Sequence, residues 1–243
     1  MLIDNAEIIP KNGSFDKRLI KGEYSYVLVI FIERIIVDYS HIIQSSVDHL
    51  KSKVALLEAM WRDPFVQMYQ DKELPTDGRE SVFLEGPTSR KEHINHNYRS
   101  QQVSLLRGFG WDGWIFVPET RGLVQFYGRA TGYDFTEKEY IHNWESSRIM
   151  ASSRVSCWIP RDNEDQLGLN TNLELGIEIG RKLERLELER FLGHLPTPAR
   201  KLFIGWPSSA QRMGLPKHYV DLLRYVTIYD QLDTMCKAIA YSP

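Results

Sequence analysis

The stretch RVSCWIPRDNEDQLGLNTNLELGIEIGRKLERLELERFLGHLPTPARKLFIGWP, residues 154–207, decides the fold. It begins and ends with short apolar runs, RVSCWIP and KLFIGWP, and both are typical of buried strands. Between them, residues 172–192 have the apolar period of a long amphipathic helix. A strand, a helix and a second strand in this order predict a βαβ unit with parallel strands.

The same alternation continues outside this stretch. Residues 82–87 (VFLEGP) and 114–119 (WIFVPE) are strand-like, while residues 98–107 and 137–151 have helical patterns. A last strand and helix are expected within residues 225–240. Short apolar strands that alternate with helices predict an open α/β fold, with a mainly parallel sheet buried on both faces.

The first 78 residues predict a separate unit. The run VLVIFIERIIV, residues 27–37, is rich in β-branched side chains, so we expect one long buried strand or two short ones there. Residues 42–60 carry apolar side chains at the helical period, and the polar segment DKELPTDGRES reads as a linker. The sequence therefore predicts a small N-terminal α+β extension at 1–78 and an α/β domain at 79–243.

Composition excludes several classes of protein. The apolar fraction of 42% and charged fraction of 26% are ordinary for a soluble globular chain, and a net charge of -2 gives no basis for nucleic-acid binding. Glu33 and Arg34 interrupt the longest apolar run, and the first residues lack a signal-peptide layout, so we expect a cytoplasmic protein without a membrane segment. Cys157 and Cys236 have apolar neighbours, which favours two buried free thiols over a disulfide between them.

No metal or organic cofactor is predicted. His93 and His96 have a spacing that places two metal ligands on one helical face, but no carboxylate or cysteine cluster accompanies them. They are therefore interpreted as part of a solvated polar face. The sequence also has no GxGxxG, Walker or GxSxG motif, which argues against the common dinucleotide, P-loop and hydrolase sites.

Polar residues follow the predicted strands and identify a candidate ligand site. Right-handed crossovers bring the carboxyl ends of parallel strands to one rim of the sheet, where ligands of open α/β folds bind. The candidates for substrate binding on this rim are Gly86, Pro87, Thr88, Arg90, Glu119, Arg161, Asp162 and Asn172. A polar cluster on one rim is the default hypothesis for a binding site.

Glu174 is the candidate for chemistry, and two interpretations compete. In the first, Thr171 is an N-cap answered by Glu174 in a capping box, which would stabilise the helix by about 1 kcal/mol. In the second, Glu174 lies on the first turn of a helix that begins at the rim, where the helix dipole favours its ionised form. An ionised carboxylate in a fixed position is what attack on a sugar anomeric carbon requires. The spacing alone favours the cap.

Trp144 and Glu145 form the second candidate. The plain interpretation is an exposed glutamate beside a half-buried tryptophan on a helix. The functional interpretation gives Glu145 an acid or hydrogen-bonding role at a nucleobase, with the aromatic face of Trp144 beside it.

Four segments carry a resemblance to a known family. FLEGPTSR, WIFVPE, NWESSRIMASSRVSCWIPRD and GLNTNLELGIEIG, in this order and at these intervals, resemble the nucleoside 2-deoxyribosyltransferase-like family over roughly residues 81–205. The resemblance implies a flavodoxin-like, five-stranded parallel sheet with helices on both faces. It also implies an enzyme that cleaves the N-glycosidic bond of a (deoxy)nucleoside through a glycosyl-enzyme ester, with transfer to another base or to water.

The resemblance also assigns roles to individual residues. Glu174, within TNLELG, takes the place of the nucleophile, and Glu145 stands where the family has an acidic residue near the base and sugar. Gly86, Pro87 and Thr88 form the loop that faces the sugar. Relatives assemble so that neighbouring subunits complete the pocket, so a homo-oligomer is an open alternative to a monomer.

Three other functions stay open. A nucleoside 5′-monophosphate N-glycosidase would bind phosphate through Thr88, Ser89 and Arg90. A non-catalytic sensor would bind a nucleotide without turnover and signal through the N-terminal extension. In a structural protein, the rim residues would be only caps and turns.

Overall fold

Parallel strands form one sheet in the part of the chain that the structure describes. The computed structural model describes residues 25–87, 98–119, 135–161, 169–193, 200–223 and 226–242. Within these ranges the strands are β1 (Val66–Gln67), β2 (Ser81–Glu85), β3 (Trp114–Phe116), β4 (Arg154–Trp158), β5 (Lys201–Gly205) and β6 (Ile228–Tyr229). Their order across the sheet is β1-β3-β2-β4-β5-β6, and every neighbouring pair is parallel.

Helices connect these strands. In the described ranges they are α1 (Ser25–Arg62), α2 (Tyr98–Gly108), α3 (Phe135–Ala151), α4 (Leu169–Leu192), α5 (Gly214–Asp221) and α6 (Leu232–Tyr241). A helix lies between most consecutive strands, which is the connection that parallel strands require. Among the described residues, no helix combines the length and the apolarity that crossing a bilayer needs.

The sheet is covered on both faces. Val82 and Leu84 of β2 pack in one apolar cluster with α2 and α6, whereas Phe83, between them, packs with Trp144 of α3. On β4 and β5, Cys157 and other alternate side chains pack with α4 and α5 in a third cluster. Because successive strand residues point to opposite faces, β2 and β4 are buried along their whole length. This explains why the sequence shows continuous apolar runs rather than alternation.

The α/β class and the predicted strands are confirmed, but the strand count of five is wrong. The predicted runs correspond to β2, β3, β4, β5 and β6, and the predicted last helix corresponds to α6. The sixth strand is β1, whose two residues pair with Ile115 and Phe116 of β3 at the edge of the sheet. Two residues are too few to produce a periodic pattern that sequence reasoning could detect.

The strands predicted at residues 27–37 are also wrong, because α1 covers this run as one helix. The β-branched side chains favoured a strand. However, the sequence contains no glycine or proline between Gly22 and Pro64, so nothing interrupts a helix that includes the run. Proline disfavours helical backbone at the residue before it, and α1 ends at Arg62.

The chain divides into two compact units, residues 1–49 and 50–243. This division after His49 differs from the domain boundary that the sequence predicts after Gly78. Leu57 and Met60 of α1 are buried in the same apolar cluster as Val82, and β1 belongs to the sheet. The segment from residue 50 to residue 78 therefore contributes to the core of the second unit.

Candidate active site

The order of the strands places a switch point between β2 and β4. The chain goes from β2 to β3 on one side and then crosses to β4 on the other side. Glu85, the last residue of β2, is paired in register with Cys157 near the end of β4. In open α/β sheets ligands bind outside the carboxyl ends of the strands at such a point. Gly86 and Pro87, predicted to bind substrate, follow directly and are buried.

Gly86 has a backbone conformation that only glycine adopts without strain. Its φ is +145°, and a Cβ at this position would overlap the carbonyl oxygen of Trp158 and the hydroxyl of Tyr98. The carbonyl oxygen of Gly86 accepts a hydrogen bond of 2.7 Å from the guanidinium of Arg99. The turn after β2 is therefore fixed by close packing and by a buried cation.

Arg99 joins the ends of β2 and β3. Its side chain is only 2% exposed, and it donates hydrogen bonds to the carbonyl oxygens of Leu84 (3.3 Å) and Gly86 (2.7 Å). A third donor reaches Oε1 of Glu119 at 2.8 Å. Glu119, predicted to bind substrate, is thus brought to the rim as the ion-pair partner of Arg99. Sequence reasoning missed Arg99, because its position within a polar helical segment gave no sign of burial.

Glu174 lies on α4, half-buried and in the field of two charged groups. Its pKa is raised to about 7, because burial and, to a smaller extent, the negative charge of Glu145 outweigh the opposing charge of Arg99. Glu174, Glu145 and Arg99 therefore lie close enough for their charges to interact. The structure thus brings together the two carboxyls that the sequence singled out.

The capping interpretation of Glu174 is wrong. α4 begins at Leu169, so Thr171 lies inside the helix and cannot be its N-cap. Glu174 is consequently on the second turn, one turn later than the sequence predicted. Its neighbours Leu175 and Ile179 pack in the core beneath α4, which fixes the helix that carries the carboxyl.

Glu145 lies on α3 and is also half-buried. The hydroxyl of Tyr69 donates a hydrogen bond to Oε1 of its carboxyl. Burial raises the pKa of Glu145, while the Tyr69 hydrogen bond, Arg99 and His142 lower it. Burial outweighs these three groups, so the pKa of Glu145 lies above its ordinary value.

Glu85 is a third carboxyl of the site, and sequence reasoning did not select it. Its side chain is 1% exposed, Oε1 accepts a weak hydrogen bond from the thiol of Cys157 at 3.7 Å, and Oε2 has no hydrogen-bond partner among the described residues. Burial and then the charges of Glu174 and Glu178 raise its pKa well above the usual range. A glutamate at the end of the apolar run VFLE was the available signal, since carboxyls in buried strands are rare.

The three carboxyls influence one another. Burial is the largest cause that raises the pKa of each, the charge of Glu145 is a further cause for Glu174, and the charge of Glu174 is a further cause for Glu85. Neighbouring carboxyls with shifted pKa values are the arrangement that acid–base and nucleophilic chemistry uses.

The remaining predicted site residues have mixed outcomes. Arg161 donates a hydrogen bond of 2.7 Å to Oδ1 of Asn172, so these two predicted residues meet at the start of α4. Trp144 is only 2% exposed, and its indole nitrogen donates to the carbonyl oxygen of Asp71 at 2.8 Å. Its ring belongs to the core of this structure and is not an open face for a base. Thr88, Arg90, Asp162, His93 and His96 lie outside the described residues.

Across the described ranges, no group of three or more His, Cys, Asp or Glu side chains is arranged to hold a metal ion. A scan against protein-family models finds no match for this sequence, and a search of curated proteins finds none that is significantly similar. What the site does must therefore follow from its geometry and from the four motifs described above.

Proposed function

We propose that this protein is an enzyme that cleaves the N-glycosidic bond of a nucleoside or deoxynucleoside and transfers the sugar to another base or to water. The observation that carries the proposal is that Glu174 and Glu145 lie close enough for their charges to interact with each other and with Arg99, whose guanidinium is hydrogen-bonded to the turn at Gly86. Enzymes that cleave a glycosidic bond through a covalent intermediate generally use two carboxyl groups beside the sugar.

The fold supports this proposal. Without the edge strand β1, the order β3-β2-β4-β5-β6 is the 2-1-3-4-5 order of flavodoxin-like sheets. In such a sheet the ligand lies at the reversal of strand order, which here is the β2/β4 boundary, next to Glu85 and Gly86. The motif resemblance to nucleoside 2-deoxyribosyltransferases implies the same fold and places its nucleophile at Glu174.

The proposed reaction has two steps. A carboxylate oxygen of Glu174 attacks the anomeric carbon as the bond from carbon to the base nitrogen breaks, and the base leaves with the bonding electron pair. The nitrogen takes up a proton from Glu145 or from a bound water. A second base, or water, then attacks the anomeric carbon of the ester, gives up a proton to Glu145 or to a bound water, and frees Glu174 as a carboxylate, so that the configuration is retained overall.

The protonation of the site sets a condition on this mechanism. Glu174 attacks only as a carboxylate, and its pKa of about 7 leaves a large ionised fraction at neutral pH. Burial raises the pKa of Glu145 and favours its protonated form, against the smaller effects of Tyr69, Arg99 and His142. Glu145 is therefore a better proton donor than an exposed glutamate at the same pH.

The experiment is a measurement of base release from ribo- and deoxyribonucleosides and their 5′-monophosphates, with and without a free acceptor base. Glu174→Gln keeps the size of the side chain but removes the nucleophile, so we expect a rate at least roughly 1,000-fold lower. Glu187→Gln, at an exposed position of the same helix, is the matched control and should retain the wild-type rate.

The outcomes separate the alternatives. Dependence on an acceptor base identifies a transferase, release without one identifies a hydrolase, and dependence on the 5′-phosphate identifies a nucleotide N-glycosidase. If Glu174→Gln releases base as fast as wild type, or if no substrate of the panel is cleaved, the proposed function is wrong.

A further inference from the structure

Residues 66–73, here called the edge segment, are attached firmly to the site. One guanidinium nitrogen of Arg148 donates to the consecutive carbonyl oxygens of Asp71 (2.8 Å), Lys72 (2.9 Å) and Glu73 (3.1 Å). The indole of Trp144 also donates to Asp71, at 2.8 Å. α3 therefore fixes the backbone of the edge segment through two side chains that flank Glu145 on the same helix.

A second set of contacts fixes the edge segment to the sheet. The amide of Tyr69 donates to the carbonyl oxygen of Glu119 at 3.0 Å, and the amide of Val117 donates to the carbonyl oxygen of Gln67 at 2.9 Å. Glu119 is the partner of Arg99, which spans β2 and β3. The carboxyls of Glu85, Glu145 and Glu174 are here called the carboxyl cluster. The backbone of Tyr69 is thus attached, through Glu119, to Arg99, whose charge acts on all three of them.

The side chain of Tyr69 is held as firmly as its backbone. It is 7% exposed, and its ring packs edge-to-face against Trp144, with the ring centroids 5.0 Å apart. A buried ring in this arrangement has little freedom to rotate about its first side-chain torsion. The packing of the ring therefore fixes the position of the hydroxyl, which donates a hydrogen bond to Oε1 of Glu145.

The groups that face Glu145 come from four elements. Tyr69 comes from the edge segment, Arg99 from α2, His142 from α3 itself and Glu174 from α4. Arg99 and His142 act on the charge of Glu145, but Tyr69 makes a directional contact with one named oxygen. A hydrogen bond of this kind fixes the plane of the carboxyl, which a charge at a distance does not do.

We propose that Tyr69 is a positioning residue of the active site, whose hydroxyl orients the Glu145 carboxylate toward the reacting centre beside Glu174. The inference rests on the proposed function for the reaction itself. It adds that the edge segment, which the sequence assigned to an extension and linker before the α/β domain, completes the catalytic site.

The test is Tyr69→Phe in the full-length protein. Phenylalanine keeps the ring against Trp144 and removes only the hydroxyl. A hydrogen bond to a charged group corresponds to roughly 10- to 100-fold, so we expect kcat to fall by this factor while KM changes less than about threefold. Because the hydroxyl favours ionised Glu145, its loss should also move the titration midpoint of Glu145 to higher pH.

Two controls isolate the hydroxyl. Tyr241→Phe removes an exposed hydroxyl and keeps a ring that packs on Phe109, so it should leave kcat and the titration unchanged. In a Glu145→Gln background the correctly oriented carboxylate is already absent. Adding Tyr69→Phe there should lower kcat by less than about twofold, which is the signature of two groups that act as one unit.

Carbon-13 NMR of labelled glutamate follows the ionisation of Glu145 without any substrate. An unchanged Glu145 midpoint in Tyr69→Phe would overturn the inference, as would wild-type kcat or a loss explained entirely by a lower folded fraction. A wild-type protein that releases no base would overturn the proposed function, whereas the titration would still report whether Tyr69 controls Glu145.

Discussion

The carboxyl of Glu174 connects the stability of the protein to the pH. Its pKa in the folded protein is about 7, against 4.5 for an ordinary glutamate, and burial is the main cause. The folded state therefore binds this proton more tightly than the unfolded state does. By linkage, its contribution to the free energy of unfolding is fully present below about pH 4.5 and is lost as the pH rises through about 7.

We expect Glu174→Gln to stabilise the protein in alkali. At pH 8 the substitution removes a half-buried charge, so the free energy of unfolding should rise by about 1–3 kcal/mol. At pH 4.5 the wild-type carboxyl is neutral in the folded state, and the difference should be small. Urea unfolding of both proteins at the two pH values measures this, with Glu187→Gln as the exposed control. Equal differences at both pH values would show that Glu174 titrates normally.

At the residue scale, sequence reasoning found the charged groups that belong to motifs and missed those that depend on the tertiary structure. Glu174 and Glu145 were selected, and in the structure their charges interact. Tyr69 and Arg99 could not be selected, since each acts on a residue that is distant in sequence. Glu85 offered a local signal, a carboxyl within an apolar strand, which points more to a functional position than to packing.

At the element scale, Arg148 makes several of the hydrogen bonds that join α3 to the edge segment. We expect Arg148→Ala to lower the free energy of unfolding by about 2–4 kcal/mol, because it removes a buried donor from three carbonyl oxygens of the edge segment, of which Asp71 keeps Trp144 and Glu73 keeps Gln67 as a second donor. Arg190→Ala, at an exposed position on α4, is the control and should change it by less than about 0.5 kcal/mol.

Urea denaturation of both arginine variants measures this difference. A loss for Arg148→Ala as small as that for Arg190→Ala would mean that water replaces the guanidinium at no cost. The edge segment would then be attached mainly through Tyr69 and Trp144.

The strands that are buried along their whole length were predicted correctly. The errors concern a strand too short to have a sequence pattern and a β-branched run whose flanking sequence makes it helical. β2 and β4 are buried at every residue, which produces the apolar runs that identified them. β1 was missed because two residues at an edge have no pattern of their own. The run at residues 27–37 has strand-like composition, but its place in an uninterrupted stretch from Ser25 to Arg62 makes it helical.

At the scale of the whole molecule, the boundary of the α/β unit can be tested by truncation. Residues 50–243 form a compact unit, so a chain that begins at residue 50 should keep a cooperative thermal transition. A chain that begins at residue 79 loses β1, Tyr69, and the buried side chains of Leu57 and Met60. We expect its melting temperature to fall by at least about 10 °C, or the transition to become non-cooperative.

Circular dichroism at increasing temperature compares the two truncated chains with the full-length protein. Equal melting temperatures for the two truncations would place the boundary after Gly78, as the sequence predicted. Loss of the transition in both would show that the compact unit depends on residues before Leu50.

The two cysteines, predicted from their apolar neighbours to be buried free thiols, are both free and buried. Cys157 lies directly under the carboxyl cluster, where burial and the adjacent Glu85 raise the pKa of its thiol well above the usual range. A thiol that is both enclosed and protonated does not react with alkylating reagents until the strands around it separate. The rate at which Cys157 is labelled therefore measures how often the sheet opens beneath the site, and no reporter group has to be introduced by mutation.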